Sequence, residues 1–399
     1  MESLKGRRIV LAVTGGIAAY KSCELVRLLR KQGAEVEVAM TGHAAQFVTP
    51  LTFEALSGRP VHLTEWAGEG GRMPHIALGA GCGLILVAPA TANILAKAAN
   101  GIADDLVSTM IAARKAPVAF APAMNTRMWT NPPNQRNVSL LASDGAMIWG
   151  PASGGLACGD TGAGRMIEPA EIAERVIAFF SEKFLAEKKI VITAGPTYEP
   201  IDPVRGLTNR SSGKQGFALA REAVRAGAEV TLIAGPCALP TPLGAERIDA
   251  VTAADMRAAA LERAPGADVF IGVAAVCDWK PASVSGRKIK KAAGQPAPAI
   301  ELCENPDILS EVGHLAAGSR PYTAGFAAET ENAEDYARGK LERKNADVIF
   351  GNLAQQTLGA DENAVIAVTR EGTESFGPAP KEEIARQILR KIAAALPNA

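Results

Sequence analysis

Short runs of uninterrupted apolar residues alternate along this chain with stretches whose apolar residues recur at helical spacing. The runs Ile9–Val13, Val36–Met40, Leu84–Ala88, Pro117–Ala121 and Met147–Trp149 lead into glycine or proline turns, and Ala18–Gln32 carries the helical period. Strands with no polar alternation are buried on both faces, and strands that alternate with helices form parallel sheets. The pattern predicts a doubly wound α/β domain. It restarts with Ile190–Thr193, Val230–Ala234, Val269–Ala275, Tyr322–Ala327 and Val348–Gly351, so a second domain of the same class is expected. The expected fold is two Rossmann-like domains, residues 1–189 and 190–399. A helix opened by Glu168-Pro169 and closing around Glu187–Lys189 divides them, since proline favours the first helical position.

RLLRKQGAEVEVAMT in the first half parallels REAVRAGAEVTLIAGP in the second, each reading as a helix end, a glycine turn and a second strand. Two long irregular stretches, about Thr197–Gly216 and Pro281–Pro298, follow strands of the second half. Loops of that length in a compact domain are usually functional, and open α/β sheets bind ligands at the carboxyl edge of their strands.

Length and composition then narrow the class. A chain of 399 residues exceeds one core, which agrees with two domains. Its 42 Lys and Arg balance 42 Asp and Glu, so no overall field favours nucleic acid or an anionic membrane. An anionic ligand must be met locally. No apolar run reaches the roughly 18 residues of a membrane span, and the start shows no signal-peptide pattern. The six cysteines are scattered without a C-x-x-C pair, which fits reduced thiols in a cytoplasmic protein and supports no zinc cluster.

The first strand runs into Thr14-Gly15-Gly16-Ile17, where adjacent glycines admit a ligand to the backbone and to a following helix N-terminus. It lacks the G-x-G-x-x-G dinucleotide fingerprint. Later strands end at Met40-Thr41 and at Pro89-Ala90-Thr91-Ala92-Asn93, small polar residues that equally serve as helix caps. In order, VTGGIAAYK, Met40-Thr41 with Phe47, PATAN, GIADDL, APAMN and PASGGLACGDTGAGRM resemble the FMN-dependent cysteine decarboxylases. The likeness is specifically to the phosphopantothenoylcysteine decarboxylase half of the bifunctional coenzyme A enzymes, over residues 7 to 170.

That resemblance implies FMN held by Gly15, Gly16, Ile17, Thr41, Pro89, Ala90, Thr91 and Asn93, with His75, Asn125 and Cys158 catalytic. The chemistry demands an electron sink, because an N-acylated cysteine has no carbonyl beta to its carboxylate. Oxidising the thiol carbon to a thioaldehyde supplies one, and returning the hydride afterwards consumes no external reductant. Histidine, with an ordinary pKa of about 6.5, suits proton transfer. The Asn125 amide suits a carboxylate. A thiol with a pKa of about 8.5 can donate its proton at neutral pH, and five glycines between 154 and 164 suit a mobile lid around Cys158.

In the second half, KIVITAGPT and EVTLIAGP lack both the dinucleotide fingerprint and the acidic residue that grips a ribose. GLTNRSSGKQG is not a phosphate loop, since Gln215 follows Lys214 where Ser or Thr belongs. TNRSSGKQG, AAVCDW, KIKK, NPDI, GFAAET and Lys340 with Lys344 are similar, over residues 189 to 395, to the phosphopantothenate-cysteine ligases. The resemblance implies activation of the phosphopantothenate carboxylate by CTP as an acyl-cytidylate, with Mg2+ accompanying the nucleotide and cysteine displacing CMP. Asn209 and Lys288 are the implied catalytic residues, Lys288 on a flap. Asp278, Lys288, Asn305, Pro306, Asp307, Ile308, Phe326, Lys340 and Lys344 are implied CTP contacts, and no metal ligand is assigned. Cys277 and Trp279 stand where alanine and tyrosine are expected in that family.

For the whole chain the resemblance implies phosphopantothenate, cysteine and CTP as small-molecule partners. It also implies a homo-oligomer, since trimeric decarboxylase and dimeric ligase halves combine into a dodecamer. Other flavin-fold enzymes, and a non-catalytic regulatory subunit of the same flavoprotein fold, are the alternatives. Retention of Asn125, Cys158 and a full ligase half argues against both.

Overall fold

The computed structural model describes residues 2–66, 73–157, 159–290, 299–329, 332–353 and 360–397. The chain divides into two compact units, Met1–Phe180 and Ser181–Ala399. The helix opened by Pro169 ends at Phe180.

In the first unit, β1 (Arg8–Val13), β2 (Glu35–Met40), β3 (Leu84–Ala90), β4 (Val118–Pro122) and β5 (Met147–Ile148) form a parallel sheet in the order β2-β1-β3-β4-β5. From the second residue on, β1 is fully buried, as the unbroken apolar run requires. One core lies on the face covered by the helices Ala19–Lys31 and Pro169–Phe180, around Leu11, Leu25 and Ile172; the other gathers Val10, Val87 and Met110. The chain order reverses between β1 and β3, so the connections leave that edge in opposite directions and open a crevice there. A short antiparallel hairpin, β6 (Ala152–Gly155) and β7 (Thr161–Arg165), follows. The segment expected as a glycine-rich lid is therefore mostly paired strand.

The second unit carries β8 (Lys189–Ala194), β9 (Tyr198–Pro200), β10 (Gly206–Thr208), β11 (Glu229–Ala234), β12 (Ala245–Asp249), β13 (Val269–Gly272), β14 (Trp279–Pro281), β15 (Leu302–Glu304), β16 (Tyr322–Glu329), β17 (Val348–Leu353), β18 (Glu362–Val368) and β19 (Thr373–Pro380). Its main sheet runs β12-β11-β8-β13-β16-β17-β18-β19, parallel as far as β17 and antiparallel beyond. Here the switch lies between β8 and β13. The predicted strand to Ala275 stops at Gly272; Ala275 instead makes an isolated bridge to Pro196.

The two irregular stretches are partly ordered as ribbons: β9 pairs with β10, and β14 with β15. The parallel helix-turn-strand phrases fold alike in both units, with Gly33 and Gly227 at φ +85° and +96° between the first helix and the second strand. Both units are thus Rossmann-like α/β folds. Among the described residues no helix is long and apolar enough to cross a membrane.

Candidate active sites

A cleft of about 1450 Å³ opens at the carboxyl edge of the first sheet, directly over the β1/β3 switch. Thr14 laces its floor together: its hydroxyl donates to the Pro89 carbonyl at 2.6 Å and accepts from the Thr91 amide at 3.2 Å. Thr91 in turn caps the helix Ala92–Ala99 through the Ile94 amide. Gly15 is required by packing, since a Cβ there would lie 2.3 Å from the His43 Cβ. Gly15, Gly16, Ile17, Thr41, Thr91, Asn93 and Asn125 all line this one cleft. Pro89 and Ala90 do not; both are buried in β3, where Pro89 serves through its carbonyl.

Asn125 uses both ends of its amide. Its Oδ1 accepts from the Arg127 amide and caps the helix Thr126–Thr130, while its Nδ2 donates to Asp160 at 2.8 Å. Asp160 stands at the start of β7, so this bond ties the PAMN loop to the hairpin. Gly164, at φ +140°, lets the hairpin lie flush: a Cβ would sit 2.3 Å from the Met124 carbonyl oxygen. Glycine here serves close approach rather than mobility. Cys158 falls outside the described residues.

His75 is not brought into this cleft. It lies in the first turn of the helix Pro74–Gly81, with Nδ1 3.7 Å from Glu65. Two charged clusters at the cleft were not singled out from the sequence. Lys97 bridges Asp104 and Asp105 at 2.6 and 2.9 Å, and those carboxylates hold its ammonium pKa above the ordinary value against the opposing pull of burial. Lys21 and Arg165 meet on one oxygen of Glu168, at 2.8 and 2.5 Å. Lys21, Arg165 and the Asp104-Asp105 pair lie within VTGGIAAYK, PASGGLACGDTGAGRM and GIADDL, but local spacing does not show that they form ion pairs.

The second unit has a cleft of about 500 Å³ beside the β8/β13 switch, lined by Asp278, Asn305, Pro306, Asp307, Ile308, Lys340 and Lys344. β14 and β15 pair so that Asp278 and Asn305 adjoin: the Asn305 amide donates to the Asp278 carbonyl at 2.8 Å. The Asn305 side chain donates through Nδ2 to the Cys277 carbonyl at 2.9 Å, which fixes its orientation, and its Oδ1 is buried with no partner among the described residues. Asp307 caps the helix Ile308–Gly313 through the Ser310 amide and pairs with Lys344.

Lys340 donates to the Phe326 carbonyl at 2.6 Å. Phe326 itself stays out of the cleft and packs on Phe350 with ring centroids 5.4 Å apart. Asn209 adjoins the cleft rather than lining it, donating to the carbonyl of Ala275, which does. Lys288 is exposed, in the segment beyond β14, and does not line the cleft. Among the described residues no group of three or more His, Cys, Asp or Glu could hold a metal.

Residues 1–181 match the Flavoprotein family and residues 185–396 the family described as DNA/pantothenate metabolism flavoprotein C-terminal domain. The Coenzyme A biosynthesis bifunctional protein CoaBC of Vibrio cholerae is 47% identical over 98% of this chain and 99% of its own. Its namesake of Escherichia coli K12 is 49% identical over 97% and 96%. Among solved structures, an FMN-dependent cysteine decarboxylase, SpaF, is 34% identical over 44% of this chain and 97% of its own, with a TM-score of 0.39. With both units matched in order and nearly half the residues shared along almost the whole length, the chain belongs to the bifunctional enzymes of coenzyme A biosynthesis.

Proposed function

We propose that the C-terminal unit joins cysteine to 4'-phosphopantothenate with CTP, and that the N-terminal unit decarboxylates the product, 4'-phosphopantothenoylcysteine, with FMN. The observation that carries this reading is the gathering of Gly15, Gly16, Thr41, Thr91, Asn93 and Asn125 into one cleft and of Asp278, Asn305, Asp307, Lys340 and Lys344 into the other, each at a topological switch, where such sheets bind nucleotides.

FMN fits the first cleft by packing and by chemistry. Gly15 and Gly16 keep the backbone clear beside the helix Ala19–Lys31, and Thr41, Thr91 and Asn93 offer hydroxyl and amide groups. When bound, FMN supplies reversible hydride abstraction, which makes loss of CO2 feasible. Asn125 then orients the substrate carboxylate, and Asp160 fixes the direction of its amide. Cys158 returns a proton to the substrate carbon. His75 serves as the proton-transfer group once a neighbouring subunit in the expected trimer completes the cleft.

In the second unit Lys340 and Lys344 line the cleft and would meet the negative charge of a triphosphate; Lys288, exposed outside the cleft on the segment beyond β14, would extend its side chain to the bound nucleotide. Mg2+ arrives with CTP, held chiefly by its phosphates. Asn209, anchored on Ala275, supports the acyl-cytidylate during attack by cysteine. The location is cytoplasmic and the assembly a dodecamer of trimeric and dimeric contacts.

The test mixes the purified protein with phosphopantothenate, cysteine, CTP and Mg2+ and follows pyrophosphate, CMP and CO2 by mass. The expected result is one CMP and one pyrophosphate per ligation, followed by one CO2, from a yellow protein. A colourless protein that releases neither CMP nor CO2 would refute the proposal.

A further inference from the structure

Beyond β14 the chain passes through Ala282, whose amide still pairs with the Glu301 carbonyl at 2.9 Å, and enters the segment 283–290 that carries Lys288. Three bonds pin that segment to the loop after β9, the third from Arg205 to the Ile289 carbonyl. The Ser285 amide donates to the Ile201 carbonyl at 3.0 Å. The Ile289 amide, next to Lys288, donates to the Asp202 carboxylate at 3.1 Å.

Asp202 is 1% exposed, yet its carboxylate is saturated with donors. It accepts from the amides of Val204 and Arg205 at 2.8 and 2.9 Å, and from the Arg205 guanidinium at 2.5 and 3.0 Å. The same guanidinium donates to the Ile289 carbonyl at 2.6 Å. Asp202 and Arg205 together therefore take both backbone groups of Ile289. The Arg205 hydrogen bond, with the amide bonds behind it, outweighs burial and holds the Asp202 carboxyl well below the ordinary carboxylate range. It is ionised whenever the protein is folded at ordinary pH.

A buried charge costs free energy unless its lone pairs are satisfied, and the turn 202–205 itself accounts for only the Val204 and Arg205 amide bonds. Here part of that satisfaction comes from the residue beside an exposed lysine. We propose that Asp202 is a positioning residue for ligation: through Arg205 and the Ile289 amide it sets the backbone from which Lys288 reaches the nucleotide. The inference rests on the ligase reading of this unit. Asp202 touches no substrate and acts through Lys288.

The full-length protein bearing Asp202→Asn, which weakens the anchor, and separately Ile289→Pro, which deletes one donor, leaves Asp202 its four others and also restricts the Lys288 backbone, is assayed for CTP-dependent pyrophosphate release. Each change is also placed on Lys288→Ala. A misplacement of about 1 Å can cost on the order of 100-fold in rate, so each single variant is expected to lose rate on that scale. On Lys288→Ala, the further loss should be no more than about twofold, because residues acting through one another are not additive. Hydrogen exchange should quicken at 285–290 in both variants.

Unchanged pyrophosphate release in Ile289→Pro, or losses that multiply with Lys288→Ala, would overturn the proposal. If Asp202→Asn does not fold, Asp202→Glu, which keeps the charge but shifts it from the Ile289 amide, takes its place. A wild-type protein that releases no pyrophosphate would sink the ligase reading itself, which is a distinguishable result.

Discussion

The Asn125 amide donates to the Asp160 carboxylate across 2.8 Å, joining the loop after β4 to the hairpin that follows β5. Two motifs 35 residues apart thus share one hydrogen bond at the mouth of the first cleft. Asn125→Asp would replace it with two facing carboxylates. A bond to a charged group is worth about 1.5–3 kcal/mol when buried, and this one is exposed, so the smaller end applies. Decarboxylation should fall by more than about tenfold, since the new carboxylate also faces that of the substrate, while ligation persists. Separate assays of CO2 and pyrophosphate check this; an equal fall in both would contradict it.

Gly15→Ala should impair flavin binding. The added methyl would fall on the His43 Cβ, and the His43 backbone carbon lies only 3.0 Å away, so the β1 turn or the loop after β2 must move. Overpacking of this kind costs about 1–3 kcal/mol. Flavin titration by absorbance should show affinity lowered by about 10- to 100-fold. Retained wild-type affinity would show that the loop yields freely.

Acid should weaken the first unit through Glu37, which accepts from Arg8 at 2.7 and 3.0 Å and lies within ion-pair distance of Arg59. Burial pushes its carboxyl up, but the Arg8 hydrogen bond and the Arg8, Arg59 and His62 charges more than offset this, leaving the pKa below its ordinary 4.5. A carboxylate with a depressed pKa binds protons more weakly folded than unfolded. Its stabilising contribution is complete above pH 4.5 and is lost as the pH falls through the folded value. Thermal unfolding between pH 6 and 3 should show Glu37→Gln destabilised by about 2 kcal/mol at the upper end, with the difference from wild type closing in acid. A constant difference would exclude Glu37 as the titrating group.

Asn305 should contribute to base selection. Its Nδ2 is committed to the Cys277 carbonyl, and its Oδ1 is buried at the cleft wall with no partner among the described residues, which leaves it as the acceptor a base amino group would take. The cytosine amino group can donate to it, whereas the uracil carbonyl cannot. Leaving a buried acceptor unpaired costs about 1–3 kcal/mol. Asn305→Ala should therefore erode any preference for CTP over UTP by about 10-fold or more in kcat/KM. A preference unchanged in the variant would remove Asn305 from base recognition.

The unbroken apolar runs determined by themselves that Ile9–Val13 and Ile190–Thr193 open two doubly wound sheets, because a strand buried on both faces leaves no other pattern. Gly33 and Gly227 were equally legible, since each turn needs a left-handed residue. β18 and β19 were not singled out: β19, TESFGPAP at the sheet edge, is mostly exposed and carries two prolines and one large apolar residue, so it reads as loop.

Of the candidate sites, the sequence supplied residue types and order, and folding decided which of them meet. Thr14, Thr91 and Asn125 converge because the sheet reverses at β1/β3, while His75 and Phe326 carry equally suggestive motifs yet point elsewhere within one chain. The anchoring of Ile289 by Asp202, 87 residues away, leaves no trace in local spacing. Only the tertiary structure decides it, because a buried carboxylate is satisfied by whichever donors the fold delivers.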